Sequence, residues 1–170
     1  MLKLAREAVA AQTRHERPPV PPLDGVLGEP RGAFVTLHVH GELRGCIGHI
    51  EADEPLARVV ARCAVHAASA DPRFPPIAAG ELITMEIELS LLTAPEPLES
   101  VDDIVIGRDG LIVEQQRRRG LLLPQVAVEH GWDVRTFLAR TCEKAGLARD
   151  AWRTGARIWR FEADVFAEAR

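Results

Sequence analysis

Two stretches in the first half of the chain alternate between apolar and polar positions. In AFVTLHVH (33–40) one face carries the aliphatic side chains and the other a mixed set: Val35, Leu37 and Val39 against Phe34, Thr36, His38 and His40. LITMEIELSLL (82–92) alternates in the same way and places Glu86 and Glu88 together on its polar face. Successive side chains of a strand point to opposite faces, so both stretches are predicted to be half-buried β-strands.

Apolar residues recur at helical spacing elsewhere in the chain. This spacing predicts helices over 2–14 and 54–70, the second capped by Asp53, and a further helix that begins at Asp133 and ends at Gly146. LRGCIGHI (43–50) follows a turn signal at Gly41-Glu42 and is predicted to be the return strand of a hairpin.

The second half of the chain predicts shorter elements. IVIGRDGLIV (104–113) indicates two short strands joined by a glycine-rich turn, GLLLP (120–124) another strand, 125–130 a short helix, and ARIWRFEADVFAEA (156–169) one final strand. Strands and helices do not alternate in regular βαβ order, so we predict an α+β fold with a mostly antiparallel sheet.

Length, charge and cysteine content narrow the class of protein. A chain of 170 residues fits one domain, 1–170. Its net charge of -4 argues against bulk attraction to nucleic acid or to an anionic membrane. The N-terminal segment is charged throughout, so we predict no signal peptide and no membrane span and expect a cytoplasmic protein. The three cysteines of the chain include no CxxC pair, so neither a disulfide framework nor a metal site is predicted. We also predict no cofactor.

Seven segments occur in an order that resembles one known family. They are GAFVTL, LRGCIG, DPRFPP, GRDGLIV, RGLLLPQVA, HGW and FLARTCEKAGL. Together they resemble the AMMECR-type domain, whose prokaryotic members are called AmmeMemoRadiSam system protein A, over nearly the whole chain. The resemblance implies a single curved, barrel-like sheet flanked by helices. It also implies a role beside Memo-like and radical SAM proteins, while this chain lacks the CxxxCxxC motif of a radical SAM enzyme.

The family motif falls on two segments of this chain, 43–48 (LRGCIG) and 71–74 (DPRF). One departure concerns the residues before RGLLLP, where family members often carry a glycine and this chain has Gln115-Gln116-Arg117. We therefore expect a looser or longer hairpin at that position.

Cys46 supports two interpretations. As a thiolate it would lie on a surface that Gly45 and Gly48 leave open to a substrate or a partner's backbone, with Arg44 on the same face to stabilise it and hold an anion. As a structural residue it would be a small hydrophobe in a sheet that glycines allow to bend. His49 falls on the opposite face of a regular strand, so a base for Cys46 would have to come from elsewhere.

The DPRF segment also has two interpretations. Asp71 and Arg73 would pin the loop through a carboxylate–guanidinium pair, with Phe74 as its anchor in the core, or Arg73 would bind a carboxylate or phosphate of a ligand.

The remaining polar candidates favour ordinary surface roles. His38 and His40 share a strand face and would complete a metal cluster with Cys46, but we interpret them as solvated. Glu86 and Glu88 would form a catalytic pair or simply line a half-exposed sheet face. The run 117–119 of three arginines is interpreted as a solvated turn rather than a nucleic-acid site because no aromatic platform accompanies it in sequence. Docking of an acidic partner is the alternative role of the same run.

Three hypotheses of function follow. The first is an accessory protein that acts with Memo-like and radical SAM proteins. The second is an enzyme that uses Cys46 as nucleophile or ligand on a small anionic substrate, with Arg44, Gly45, Gly48, Asp71 and Arg73 as binding residues. The third is a nucleic-acid-binding protein that uses the arginine turn.

Overall fold

In the computed structural model, which describes residues 1–168, the strands form two four-stranded sheets. The helices and strands are, in order, α1 (Leu2–Thr13), β1 (Ala33–Val39), β2 (Glu42–His49), α2 (Leu56–Ser69), β3 (Met85–Leu92), β4 (Glu96–Pro97), β5 (Gly110–Gln115), β6 (Arg118–Leu122), α3 (Pro124–Glu129), α4 (Val134–Lys144), β7 (Arg157–Phe161) and β8 (Ala163–Ala167). The fold is mixed α and β with antiparallel sheets and flanking helices, as expected. The expectation of a single sheet is wrong, and no closed barrel occurs among the described residues.

The chain divides into two compact units. Among the described residues, the first contains Met1–Leu92 together with Asp164–Glu168, and the second contains Thr93–Ala163. The expectation of one domain over 1–170 stays a prediction.

The first unit holds the sheet β2-β1-β3-β8, with α1 and α2 packed on one face. The apolar face predicted for β1 is confirmed, and that of β3 is confirmed from Met85 onward, since their aliphatic side chains join those of the two helices in one buried cluster. Examples are Val35 and Leu37 on β1 and Leu89 on β3, all fully buried. This side of the sheet is therefore the core of the unit, and the opposite face carries its polar side chains. The strand predicted over 82–92 begins at Met85 instead, because 79–83 form a 3₁₀ helix, and Ile83 of the predicted apolar face is 89% exposed.

The second unit repeats this connectivity. Its sheet has the order β4-β7-β5-β6, and the hairpin β5–β6 is followed by helices and then by β7, which returns to the free side of β5. The first unit makes the same hairpin–helix–strand path with β1, β2, α2 and β3. The hairpin-then-helix order in the sequence of both halves thus corresponds to one topology built twice.

Several predicted elements need correction. Residues 104–107 do not form a strand: a turn occupies 106–108, where Gly107 has a positive φ, and Asp109 accepts the Val105 N–H at 2.8 Å. The predicted final strand breaks at Glu162 into β7 and β8, which belong to different sheets; its residue 169 lies outside the described part of the chain. Helix α2 begins after Pro55 and has no side-chain cap.

The helix predicted after Asp133 is confirmed at both ends. Asp133 Oδ1 accepts the Thr136 N–H at 2.8 Å, and Gly146 follows the last turn with a φ of 71°. None of the helices described is long and apolar enough to cross a membrane.

Candidate functional site

The β1–β2 hairpin positions Cys46. Its turn is formed by His40 and Gly41, whose φ angles of 53° and 80° suit a two-residue turn between twisted strands. This turn removes His40 from the strand, so the expectation that it shares a face with His38 is wrong. The turn also lies one residue earlier than predicted.

A β-bulge at Arg44 changes the alternation along β2. Leu37 lies opposite Gly45, while its neighbour His38 lies opposite Leu43, which leaves Arg44 as the additional residue. Cys46 lies opposite Thr36, and directly opposed residues share a face of the sheet.

Glycines make close packing possible on both faces of β2. A Cβ at Gly45 would lie 2.1 Å from the carbonyl oxygen of Ala67, so this strand approaches the backbone of α2 directly. A Cβ at Gly48 would lie 2.3 Å from the ring of Phe34, which covers that glycine. Cys46, next to Gly45 along the strand, therefore points away from α2, on the sheet face that carries the Phe34 ring, and its side chain is half-buried.

The Cys46 sulfur has a hydroxyl neighbour. Thr36 Oγ1 lies 3.3 Å from Sγ across the strand pair. The other two cysteines are buried: burial raises the pKa of the Cys63 thiol to about 11 and also raises the pKa of Cys142. Cys46 is thus the accessible thiol of the three.

The DPRF segment closes the free edge of β2 at Cys46. Asp71 Oδ2 accepts the Cys46 N–H at 2.9 Å, and Arg73 Nη2 donates to the Cys46 carbonyl at 3.3 Å. Two side chains therefore satisfy the backbone groups that an adjacent strand would otherwise bind.

Asp71 and Arg73 also bind each other. Arg73 donates from Nε at 2.9 Å and from Nη2 at 2.6 Å, so the pair is bidentate. The Arg73 guanidinium, with the backbone N–H groups of Cys46 and Arg73, holds the pKa of Asp71 well below its usual range against the opposing effect of burial. The pinned loop expected from the sequence is present.

The anchor of this loop differs from the expectation. Phe74 is only half-buried, with the Arg73 guanidinium 5.3 Å from its ring centre. Ile77, three residues later, is buried in the core. The aliphatic Ile77 thus anchors the loop in the core, and the Phe74 ring lies against the Arg73 guanidinium.

Arg44 binds within its own unit. Its Nε and Nη2 donate to Glu81 at 2.8 and 3.0 Å, and its remaining donors reach the carbonyls of Pro75 and Pro76. The guanidinium lowers the pKa of Glu81. Arg44 thereby fixes the loop after α2, and anion binding by Arg44 stays a prediction.

His49 and His130 contact side chains other than Cys46. His49 Nε2 lies 2.6 Å from Asp53 Oδ1, and Pro55 occupies the cap position of α2, so the expectation that Asp53 caps this helix is wrong. His49, Asp53 and Glu54 offer ligand atoms within 4.8 Å of one another, a grouping that the sequence analysis missed. Glu54, however, accepts twice from Arg62 Nη1, so this surface cluster is an ion-pair network. His130 stacks on Trp132 at 4.7 Å.

The polar face of the first sheet holds a cavity of about 210 Å³. His38, Glu86, Glu88 and Glu168 contribute to its lining. Glu88 lies opposite Thr36, which in turn lies opposite Cys46, so one row of residues crosses three strands. The structure thus brings the two predicted glutamates and His38 onto the sheet face that carries Cys46.

The β5–β6 hairpin, which carries the arginine run, has a tighter turn than expected. Gln116 has a φ of 58°, and Arg118 and Arg119 already belong to β6. Arg118 donates to the Gly146 carbonyl, and Arg119 Nε lies 3.9 Å from Glu114 Oε2.

Comparisons with known proteins agree with the motifs placed on this hairpin and loop. A profile of the AMMECR1 family matches residues 2–166. Protein MJ0810 of Methanocaldococcus jannaschii is 50% identical over 152 residues, which cover 84% of this chain and 76% of that protein. A protein of Thermofilum pendens is 46% identical and covers 99% of this chain and 88% of its own length.

One solved structure shares the architecture. The crystal structure of the uncharacterized protein PH0010 from Pyrococcus horikoshii superposes with a TM-score of 0.93 at 41% identity, covering 98% of this chain and 89% of that one. With the profile match over nearly its full length, the chain belongs to the AMMECR1 family.

Proposed function

We propose that this protein is an accessory binding component that acts with Memo-like and radical SAM proteins, and that the β2 surface around Cys46 forms part of the contact. The observation that supports this proposal is that the arginines of both motifs form ion pairs with carboxylates of this protein. Arg44 is bound to Glu81 and Arg73 to Asp71, so the LRGCIG and DPRF segments build a fixed surface.

A fixed surface suits recognition. Two side chains of the loop bind the backbone of Cys46, and the absence of a side chain at Gly45 lets the strand pack directly against α2. A partner that binds there orders few groups, which keeps the entropic cost of association low. Leu43, 39% exposed, lies opposite His38 and adds an apolar contact point next to the bulge.

Capture of the partners by variants of matched chemistry tests this proposal. The protein is immobilised, and the Memo-like and radical SAM proteins of the same organism are applied. Leu43→Glu is expected to reduce capture about tenfold or more, because a charge would be buried at the contact. Val128→Glu, at a 58% exposed site in the second unit, should leave capture unchanged. Absence of any complex with the unmodified protein, or equal loss in both variants, contradicts the proposal.

A second candidate is thiol chemistry at Cys46 on a small anionic substrate. It is supported by the Thr36 hydroxyl beside the sulfur and by Arg73, whose pKa is raised chiefly by Asp71 and further by the Cys46 thiol. In the folded protein, iodoacetamide is expected to modify Cys46 and to spare buried Cys63 and Cys142, which mass spectrometry of tryptic peptides would show.

Cys46→Ser separates the two candidates. Partner capture that persists in this variant, together with full activity of the assembled system, would remove the catalytic candidate and leave the binding role. Loss of activity with capture intact would favour thiol chemistry.

A further inference from the structure

The second unit carries an arginine-rich end that the function proposed above does not use. The β5–β6 turn and the start of β6 supply Arg117, Arg118 and Arg119, and the segment before and into β7 supplies Arg153 and Arg157. All are at least partly exposed.

Sheet register and one side-chain contact bring these segments together. Glu114 on β5 pairs with Arg119 of β6 on one side and with Arg157 of β7 on the other. Gln115 Nε2 donates to the Thr154 carbonyl at 3.3 Å, which holds the loop before β7 against the β5–β6 hairpin. Glu114 accepts from Arg157 at 2.7 Å and balances part of the charge, so a positive excess remains at this end.

An apolar groove adjoins the arginines. It has a volume of about 530 Å³, and its lining includes Leu98, Val101, Trp152, Ile158 and Trp159, with Arg157 as the basic residue it shares with the arginine-rich end. Glu99 also contributes to the lining. The groove and the charge therefore form one continuous surface.

Each tryptophan supports a guanidinium. Arg153 lies 4.5 Å from the ring centre of Trp152, and Arg157 lies 5.3 Å from that of Trp159. Stacking leaves the N–H edges of a guanidinium available for carboxylate oxygens. The two tryptophans thus accompany Arg153 and Arg157, which the sheet register and the Gln115–Thr154 contact bring to the same end of the unit as the arginine run.

We infer that this surface docks an extended segment of a partner protein in which apolar side chains are flanked by aspartate or glutamate. The apolar side chains enter the tryptophan-lined groove, and the flanking carboxylates bind Arg153, Arg157 and the β5–β6 turn. Charge complementarity selects such a segment.

Two observations favour an acidic peptide over single-stranded nucleic acid. The guanidinium groups already occupy ring faces on which bases would stack. A nucleic-acid strand carries a phosphate at every nucleotide, and Glu99 in the groove opposes that continuous charge, whereas the proposed segment places apolar side chains there.

The test uses the full chain and a fluorescein-labelled peptide with two central leucines between runs of glutamate, followed by fluorescence anisotropy. Binding is expected, and it should weaken with added salt, with serines in place of the leucines, and with lysines in place of the glutamates. The double variant Arg117→Glu/Arg153→Glu is expected to bind about tenfold more weakly. The control Arg14→Glu/Arg17→Glu makes the same charge change at exposed sites of the first unit and should bind normally.

Three results would overturn the inference: no binding of the peptide, equal affinity of the charge-reversal variant and its control, or equal affinity of the serine-containing peptide. A fourth is an oligothymidylate strand that binds more tightly than the peptide and is weakened by the same variant, since that would assign the surface to nucleic acid. Circular dichroism of both double variants checks that each is folded.

Discussion

At the scale of single residues, the main structural feature of Cys46 is that two side chains bind its backbone N–H and carbonyl groups. Asp71 accepts its N–H and Arg73 donates to its carbonyl, so two motifs separated by more than twenty residues meet at the backbone of one residue. The side chain of Asp71 is 2% exposed, and its charge depends on Arg73. The pair therefore contributes to stability as well as to the shape of the surface.

Asp71→Asn is expected to lower the free energy of unfolding by about 2 kcal/mol at neutral pH, because a buried acceptor loses its charge and Arg73 loses its partner. Urea unfolding measures the difference.

The pH dependence of this difference has a definite sign. The pKa of Asp71 is lowered in the folded protein, so its contribution is complete above the ordinary value of about 3.9 and declines as the pH falls below it. The difference between the two proteins should therefore shrink toward about pH 2. A difference that is constant from neutral to acid pH would contradict the ion-pair explanation.

At the scale of elements, the two units use glycine in the same way. Gly45 on β2 and Gly120 on β6 occur on the second strand of each hairpin, and each allows a helix backbone to approach. A Cβ would lie 2.1 Å from the Ala67 carbonyl oxygen at Gly45 and 2.3 Å from the Ala145 nitrogen at Gly120. A related pair places aromatic rings over Gly48 and Gly110. Strand–helix spacing, rather than turn flexibility, requires these glycines.

Gly45→Ala is expected to destabilise the protein by about 2 kcal/mol, since backbone atoms of α2 must move to admit a methyl group. Gly80→Ala is the matched control: it lies in the same unit, and a Cβ there meets nothing within 4 Å. Its effect should stay within about 0.5 kcal/mol. Thermal and urea unfolding measure the stability of the two variants. Equal effects of the two substitutions would show that the close approach of Ala67 to Gly45 does not determine the cost of an added methyl group.

At the scale of the whole molecule, the first unit is discontinuous in sequence. Its fourth strand, β8, follows the entire second unit along the chain. Arg6 of α1 secures the end of this strand by a bidentate pair with Glu168 and by bonds to the carbonyls of Leu82 and Met85. Glu168 also accepts the Ile87 N–H at 3.0 Å.

A double-mutant cycle with Arg6→Gln and Glu168→Gln measures this tether. Each single change is expected to destabilise the protein, and their coupling energy should be about 1 kcal/mol, because the pair is partly exposed and screened by solvent. Additive effects would show that the two side chains stabilise the unit independently.

The sequence by itself determined the local structure of this protein and its family. Alternation identified β1 and β3 with their buried faces, since a period of two depends only on neighbouring residues. The Asp133 cap and the Gly146 stop were equally local, and the motif order identified the family. The turn was predicted one residue too late, at Gly41-Glu42 instead of His40-Gly41, and the bulge at Arg44 was not predicted, because both depend on how the paired strands match.

The tertiary structure alone decided which groups meet. Arg44 shares a sequence motif with Cys46 but binds Glu81, and sheet register brings the arginine run to the same end of the second unit as Arg153 and Arg157, which lie over Trp152 and Trp159. The division into two sheets likewise depends on β7 and β8, adjacent in sequence, pairing with different partners. Such contacts join residues far apart along the chain, and their choice depends on the packing of the whole unit, which no local pattern encodes.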